Sequence, residues 1–337
     1  MSAGLIVGID GTSLDARTRE MLMHPAVVGV ILFARNFVDD LQLRRLTGEL
    51  RALKSPRLLL CADHEGGRVQ RFRAGFTPLP PPGRIGALYP RWPDRARDMA
   101  YRYGRVMAAE VLDRGVDLSL APVLDLDRGS EVIGDRAFSA DPEVVADLAR
   151  YAIAGMHDAG MKCCGKHFPG HGSVRPDSHL QTVIDDRCLE ALADDLVPFE
   201  RLIDVLDAVM PAHVVYTAVD QCPAGFSREW IARLRDGMGF SGVVISDDLD
   251  MAGAGVVGDA YRRWQAAAEA GCDLACICDP ASALALTRRI DADEAWVAKA
   301  RQQASRLYGQ AMFALDEQLL VPEFRGWRES LKRMSGA

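Results

Sequence analysis

No stretch of this 337-residue chain approaches the roughly 20 consecutive apolar residues needed to cross a bilayer. The first residues, MSAGLIVGIDGTSLDARTRE, have no basic leading segment and too short an apolar run for a secretory signal. No Cys-x-x-Cys pair occurs among the eight cysteines, and their spacing is irregular. Most lie inside apolar runs (Cys61, Cys163, Cys164, Cys272, Cys276 and Cys278), which predicts reduced, buried side chains in a cytosolic protein. Positive charge is also short: 40 Lys and Arg stand against 47 Asp and Glu, a net charge of −7. That balance excludes a nucleic-acid or anionic-membrane surface as the main partner, while leaving room for one locally basic site. Internal repeats and low-complexity segments are missing too.

What is present is a large apolar content, 49% of residues, in a regular alternation. Short apolar runs recur at 4–10, 27–33, 57–63, 117–123, 161–168, 207–214, 242–248 and 273–279. Runs apolar throughout fit strands buried on both faces, as in a parallel sheet. Between them, segments such as DDLQLRRLTGELRALK and PEVVADLARYAIAGMHDAG carry apolar residues at three and four spacing and predict amphipathic helices. Eight such alternations predict an α/β chain folded as a single (β/α)8 barrel of the TIM type over residues 1–337. Long βα loops are expected at its C-terminal face, with a helical tail from about residue 291. Residues 64–98, rich in Gly, Pro and Arg, are expected to form an ordered excursion over the rim.

Run after run ends in a charged or imidazole side chain: Asp10, Asp63, Asp125, Lys166 with His167, His213, Asp247 with Asp248, and Asp279. In a parallel barrel these ends share the face where active sites are built. A single terminal aspartate is commonly a helix cap, but seven such ends exceed what capping explains.

The densest stretch is KHFPGHGSVRPDSH, Lys166 to His179. Its glycines and prolines make it a loop leaving a buried strand, the usual place for chemistry. Asp177 and His179 are two apart, and a carboxylate beside an imidazole orients the ring to give and take a proton near neutral pH; a solvated histidine in an Asx turn is the plainer alternative. His167 and His171 are four apart, a metal-ligand spacing only in a helix, which Pro169–Gly170 disfavours; no metal and no cofactor is expected. Lys166 and His167 are read instead as hydrogen-bond donors to sugar hydroxyls, with His171 fixing the loop. Asp247, in GVVISDDLDM, suits a nucleophile, a metal ligand or an electrostatic stabiliser, or else a helix cap. Asp248 points elsewhere and suits a structural role. Arg71 and Arg136, on rim segments, are either solvated or anchors for a polar substrate.

The stretches GVILFARN, DHEGGRVQRF, APVLDLDRGSEVIGDRAFS, KHFPGHGSVRPDSH, MPAHVVY and GVVISDDLDM occur in an order that closely resembles the β-N-acetylglucosaminidases of glycoside hydrolase family 3, of the bacterial single-domain type. The resemblance runs to about residue 280. It implies Asp247 as the nucleophile of a retaining mechanism, and His179 paired with Asp177 as acid/base. It also implies Asp63, Arg71, Arg136, Lys166 and His167 as sugar-binding residues. The implied substrate is a terminal β-linked N-acetylglucosamine on a 1,6-anhydro-muramoyl peptide or another small saccharide, in cytosolic cell-wall recycling. A monomer is expected. His64 departs from the glutamine expected in the D-x-E-G-G stretch, and a charged ring there would alter the pH profile. Three alternatives stay open: the same fold releasing the sugar to phosphate, a metal-dependent amidohydrolase on the same barrel, and a catalytically silent sugar-binding protein.

Overall fold

The structure is a computed structural model, and it describes residues 2–174 and 183–336. Eight strands fall on the eight apolar runs: β1 (Gly4–Gly8), β2 (Val27–Leu32), β3 (Leu59–Ala62), β4 (Leu118–Ser119), β5 (Cys164–Phe168), β6 (Ala208–Pro211), β7 (Val243–Val244) and β8 (Leu274–Ile277). β8, β1, β2, β3 and β4 form one parallel sheet in that order. β7, β6 and β5 form a second.

The arrangement is consistent with a TIM-type barrel, although the ladders make two sheets rather than one continuous ring. Isolated parallel bridges, Val123 to Lys166 and Ile245 to Leu274, link the sheets at both junctions. The reason for the interruptions is local. Pro122 follows β4 and has no N–H to donate to a ladder. Beyond β7, the Ser246 hydroxyl accepts the Cys276 N–H at 3.1 Å, a bond that a ladder would give to a backbone carbonyl.

Strand side chains alternate between two cores, as a period of two demands. Ile6, Ile31, Leu59, Cys61, Cys164, Met210, Ile245, Leu274 and Cys276 pack together on one face. Leu5, Val7, Leu60, Ala62 and Val209 pack on the other, with the helices. Both faces being buried explains why the runs are apolar throughout. All eight cysteines are free, and Cys61, Cys163, Cys164, Cys272 and Cys276 are buried.

The connecting helices include α1 (Ala16–Met23), α2 (Asp40–Ala52), α3 (Pro93–Asp113), α4 (Pro142–Ala159), α5 (Leu189–Leu202), α6 (Ala260–Ala270) and α7 (Pro280–Thr287). α4 shows how sequence sets the ends: Asp141 caps the first turn, Pro142 opens it, and Gly160 closes it with φ of 92°. α3 and α4 press together at Gly104, where a Cβ would lie 2.0 Å from the Ala152 carbonyl oxygen. No described helix is long and apolar enough to cross a membrane.

Two segments beyond the alternation matter for the site. Residues 64–70, the start of the rim excursion, form a small antiparallel hairpin, His64–Gly66 against Val69–Gln70. After β8 and α7, the chain forms α8 (Glu294–Ser305), α9 (Leu315–Leu320) and α10 (Pro322–Ser335). Ala300, Ala304 and Leu307 join the same core as Ile6 and Leu274, so α8 is packed under the strands rather than trailing from them.

Candidate active site

The ends of β3, β5 and β7, together with the rim loops, enclose a pocket of about 870 Å³. Asp63, Arg71, Arg136, Lys166, His167 and Asp247 all line it, so the structure brings together the site residues read from the sequence that it describes. Asp177 and His179 lie in segment 175–182, outside the described residues.

One wall is a charge network. Lys166, in the middle of β5 and buried, places Nζ 2.9 Å from Asp63 and 2.6 Å from Glu65. Arg71 donates to the other Asp63 oxygen at 2.9 Å. Arg136, in the helical turn Gly134–Arg136, grips Glu65 with both arms at 2.8 and 2.9 Å. Burial alone would raise both carboxylates and lower Lys166. The paired charges prevail: Lys166 and then Arg71 drive Asp63 far below the usual range. Arg136 and then Lys166 bring Glu65 down to about 2. Asp63 and Glu65 in turn raise Lys166. All three groups are ionised across the physiological range, which suits a wall of fixed donors and acceptors for hydroxyls.

A second set orients His167. Its Nδ1 lies 2.7 Å from Asp125 Oδ2, while Asp125 Oδ1 accepts the backbone N–H groups of His167 at 3.1 Å and His171 at 2.7 Å. Burial opposes ionisation of Asp125, but His167 outweighs it and holds the carboxyl near 2. An ionised carboxylate only accepts, so Nδ1 carries the proton and Nε2 is the nitrogen left for a ligand. The His171 backbone N–H ties this part of the loop to Asp125, and the His171 ring meets that of His167 edge-on at 6.0 Å. The Lys166–His167 and Phe168–Pro169 peptide bonds are cis.

Asp247 sits just past β7, where Oδ1 accepts the Asp248 N–H at 2.8 Å. Asp248 has the structural role expected of it: Oδ1 takes the N–H groups of Asp250 and Cys278, both at 3.0 Å. Other strand ends divide between roles. Asp279 caps α7, Asp10 is exposed, and His213 is buried, stacked on Phe226 at 4.9 Å.

Two residues of the site were given no role from sequence. Glu65 stands two residues after Asp63, and extended backbone puts such positions on one side; that spacing was the available signal. Asp125 was visible as a strand end, but its pairing with His167 depends on the two strands being neighbours. One expectation is corrected. His64 is buried between Phe72 and Phe76, with ring centroids 5.5 and 5.4 Å away. Burial, helped by Arg73 and Arg71, lowers it to about 3, so it carries no charge near neutral pH.

Among the described residues, one group of metal-ligand type comes within 4.8 Å: His157, Cys163 and Asp207. It lies at the strands' opposite end. There Asp207 already holds His157 at 2.7 Å and Lys162 at 2.9 Å. The group shares no residue with the pocket.

Known proteins place this geometry. The family description "Glycosyl hydrolase family 3 N terminal domain" matches residues 6–308. The chain is 49% identical over 336 residues to a beta-hexosaminidase of Alkalilimnicola ehrlichii, covering 98% of this chain and 95% of that protein. It is 54% identical over 279 residues to a beta-hexosaminidase of Tolumonas auensis, covering 82% of each. Among solved structures, NagZ from Neisseria gonorrhoeae in complex with N-trifluoroacetyl-D-glucosamine superposes with a TM-score of 0.91 at 39% identity, over 99% of both chains. With a full-length match of sequence and fold, and a pocket at the strand ends, the chain belongs to glycosyl hydrolase family 3.

Proposed function

We propose that the protein is a retaining exo-β-N-acetylglucosaminidase. Its substrate would be terminal β-linked N-acetylglucosamine on 1,6-anhydro-muramoyl peptides released during bacterial cell-wall recycling, in the cytosol. The observation that carries this reading is the pairing, in one pocket, of a strand-end carboxylate, Asp247, with the Asp63–Lys166–Glu65 wall. The relatives' names, and the glucosamine derivative bound to the gonococcal protein, support the sugar class.

In this mechanism the wall binds the ring. Asp63 accepts from one hydroxyl and Lys166, 2.9 Å from it, donates to the neighbouring one, while His167 Nε2 donates or accepts further along the ring. Asp247, oriented by the Asp248 N–H, attacks the anomeric carbon and forms a glycosyl-enzyme intermediate. His179, paired with Asp177, protonates the leaving oxygen and then takes a proton from the incoming water. The whole chain works as a single (β/α)8 catalytic unit with the site at its C-terminal face.

The test is release of nitrophenol from p-nitrophenyl β-N-acetylglucosaminide with EDTA present, by wild type and Asp247→Ala in parallel. Wild-type turnover is expected, with a loss on the order of 10⁵-fold in the variant. Wild-type activity that needs added metal, or equal activity in both proteins, would sink the reading. Running the wild type with and without phosphate, and identifying the sugar released, separates hydrolysis from phosphorolysis.

A further inference from the structure

The family match ends at residue 308, yet the chain continues into α10, whose Phe324 and Leu331 are buried in the main core. α10 also carries Arg328 to a buried polar cluster. Its Nε lies 2.8 Å from Thr77 Oγ1 and 2.8 Å from Glu110 Oε1. Glu110, on α3, accepts the Thr77 hydroxyl at 2.6 Å and the Thr77 N–H at 2.8 Å. Thr77 passes the contact on, because its carbonyl accepts from Gln70 Nε2 at 3.0 Å, while Gln70 Oε1 takes the Leu79 N–H at 3.0 Å. Glu110, Thr77 and Gln70 are all buried. Gln70 belongs to the hairpin that holds Glu65 and is next in the chain to Arg71, the Asp63 partner. A second tie joins α10 to the same excursion, where Arg84 donates to the Met334 carbonyl at 2.8 Å.

We propose that α10 is a brace for the sugar-binding wall. Arg328 is a positioning residue that fixes segment 64–79, and through it the Arg71–Asp63 and Glu65–Arg136 pairs. A hairpin whose strands of three and two residues make two pairs across a glycine-rich turn has little stability of its own. Its side chains nonetheless need fixed positions to bind a sugar productively, and a buried charge-assisted network supplies that fixity. The functional half of this inference rests on the proposed glycosidase activity; the structural half does not.

The experiment pairs kinetics with amide exchange in the full chain. Arg328→Ala is expected to raise KM for p-nitrophenyl β-N-acetylglucosaminide about threefold or more while kcat stays within about twofold. Amide exchange in 64–79 is expected to quicken while that of β3 and β6 is unchanged, and Arg328→Lys is expected to restore much of both. Because Arg328→Ala leaves Glu110 without its cation, the double variant Glu110→Gln with Arg328→Gln repeats the test with no buried charge left alone. KM and exchange like the wild type would overturn the brace. So would exchange rising evenly along the chain, which marks general destabilisation. If the wild type does not cleave the probe, the glycosidase reading falls, and the exchange of 64–79 still decides the brace by itself.

Discussion

Lys166 and Glu65 meet at 2.6 Å, both nearly inaccessible to water, in the wall of the pocket. A buried pair of this kind is costly to halve, because the remaining charge keeps its desolvation and loses its partner. Glu65→Ala leaves both Lys166 and Arg136 short of an acceptor. It is expected to lower stability by about 3 kcal/mol and to weaken turnover with it. Glu65→Gln keeps an acceptor oxygen and is expected to lose less. Urea unfolding of the three proteins measures this, and a loss under about 1 kcal/mol for Glu65→Ala would contradict the network.

Removing the proposed acid/base should show in the leaving group. His179→Ala is expected to cost about 10²- to 10⁴-fold on a saccharide leaving group, which needs a proton. On the p-nitrophenyl glycoside, which does not, the loss should stay within about tenfold. Equal losses on both substrates would remove His179 from the proton transfer.

Asp248 couples stability to pH. Burial raises it to about 6; the nearby Asp250 and Asp247 charges add to the rise, and two backbone N–H bonds oppose it. Between about pH 4 and 6 the folded chain keeps a proton that the unfolded chain has released, so this group's contribution falls as pH rises through that window. Asp248→Asn removes the titration while keeping an acceptor oxygen. Its stability relative to wild type is expected to improve by about 2 kcal/mol from pH 4 to pH 7. Denaturant midpoints at pH 4, 5.5 and 7 read it directly, and a constant difference would show that Asp248 does not titrate there.

His64→Gln is expected to leave the pH dependence of kcat/KM unchanged between about pH 5 and 9, because the buried ring is already neutral there. A displaced limb of the profile would mean that the ring carries charge in the working enzyme.

How far the sequence could be read depended on how local each signal was. All eight strands were visible because burial on both faces leaves an unbroken apolar run, and α4 because cap, proline and glycine punctuate it. Asp63, Lys166, His167 and Asp247 were readable as strand ends, since parallel strands gather their C-terminal ends on one face. Arg71 and Arg136 sit on loops, where position along the chain left solvation and substrate anchoring both open, and only the family resemblance favoured the second. The Glu65–Arg136 and Asp125–His167 pairs and the Arg328 cluster depend on residues 42 or more positions apart coming together. No periodicity reports that. The charge state of His64 was missed because burial sets it, with Phe72 and Phe76 closing around the ring.

The charge wall also limits how the enzyme can evolve. Its two carboxylates, Asp63 and Glu65, are interlocked with three cations, Arg71, Arg136 and Lys166. Replacing either carboxylate leaves three cations facing a single acceptor in a place poor in water. Altered sugar preference should therefore be hard to select by single steps at Asp63 or Glu65. It should come from compensating pairs, or from Arg68 and Glu131, which border the same pocket outside the interlocked set.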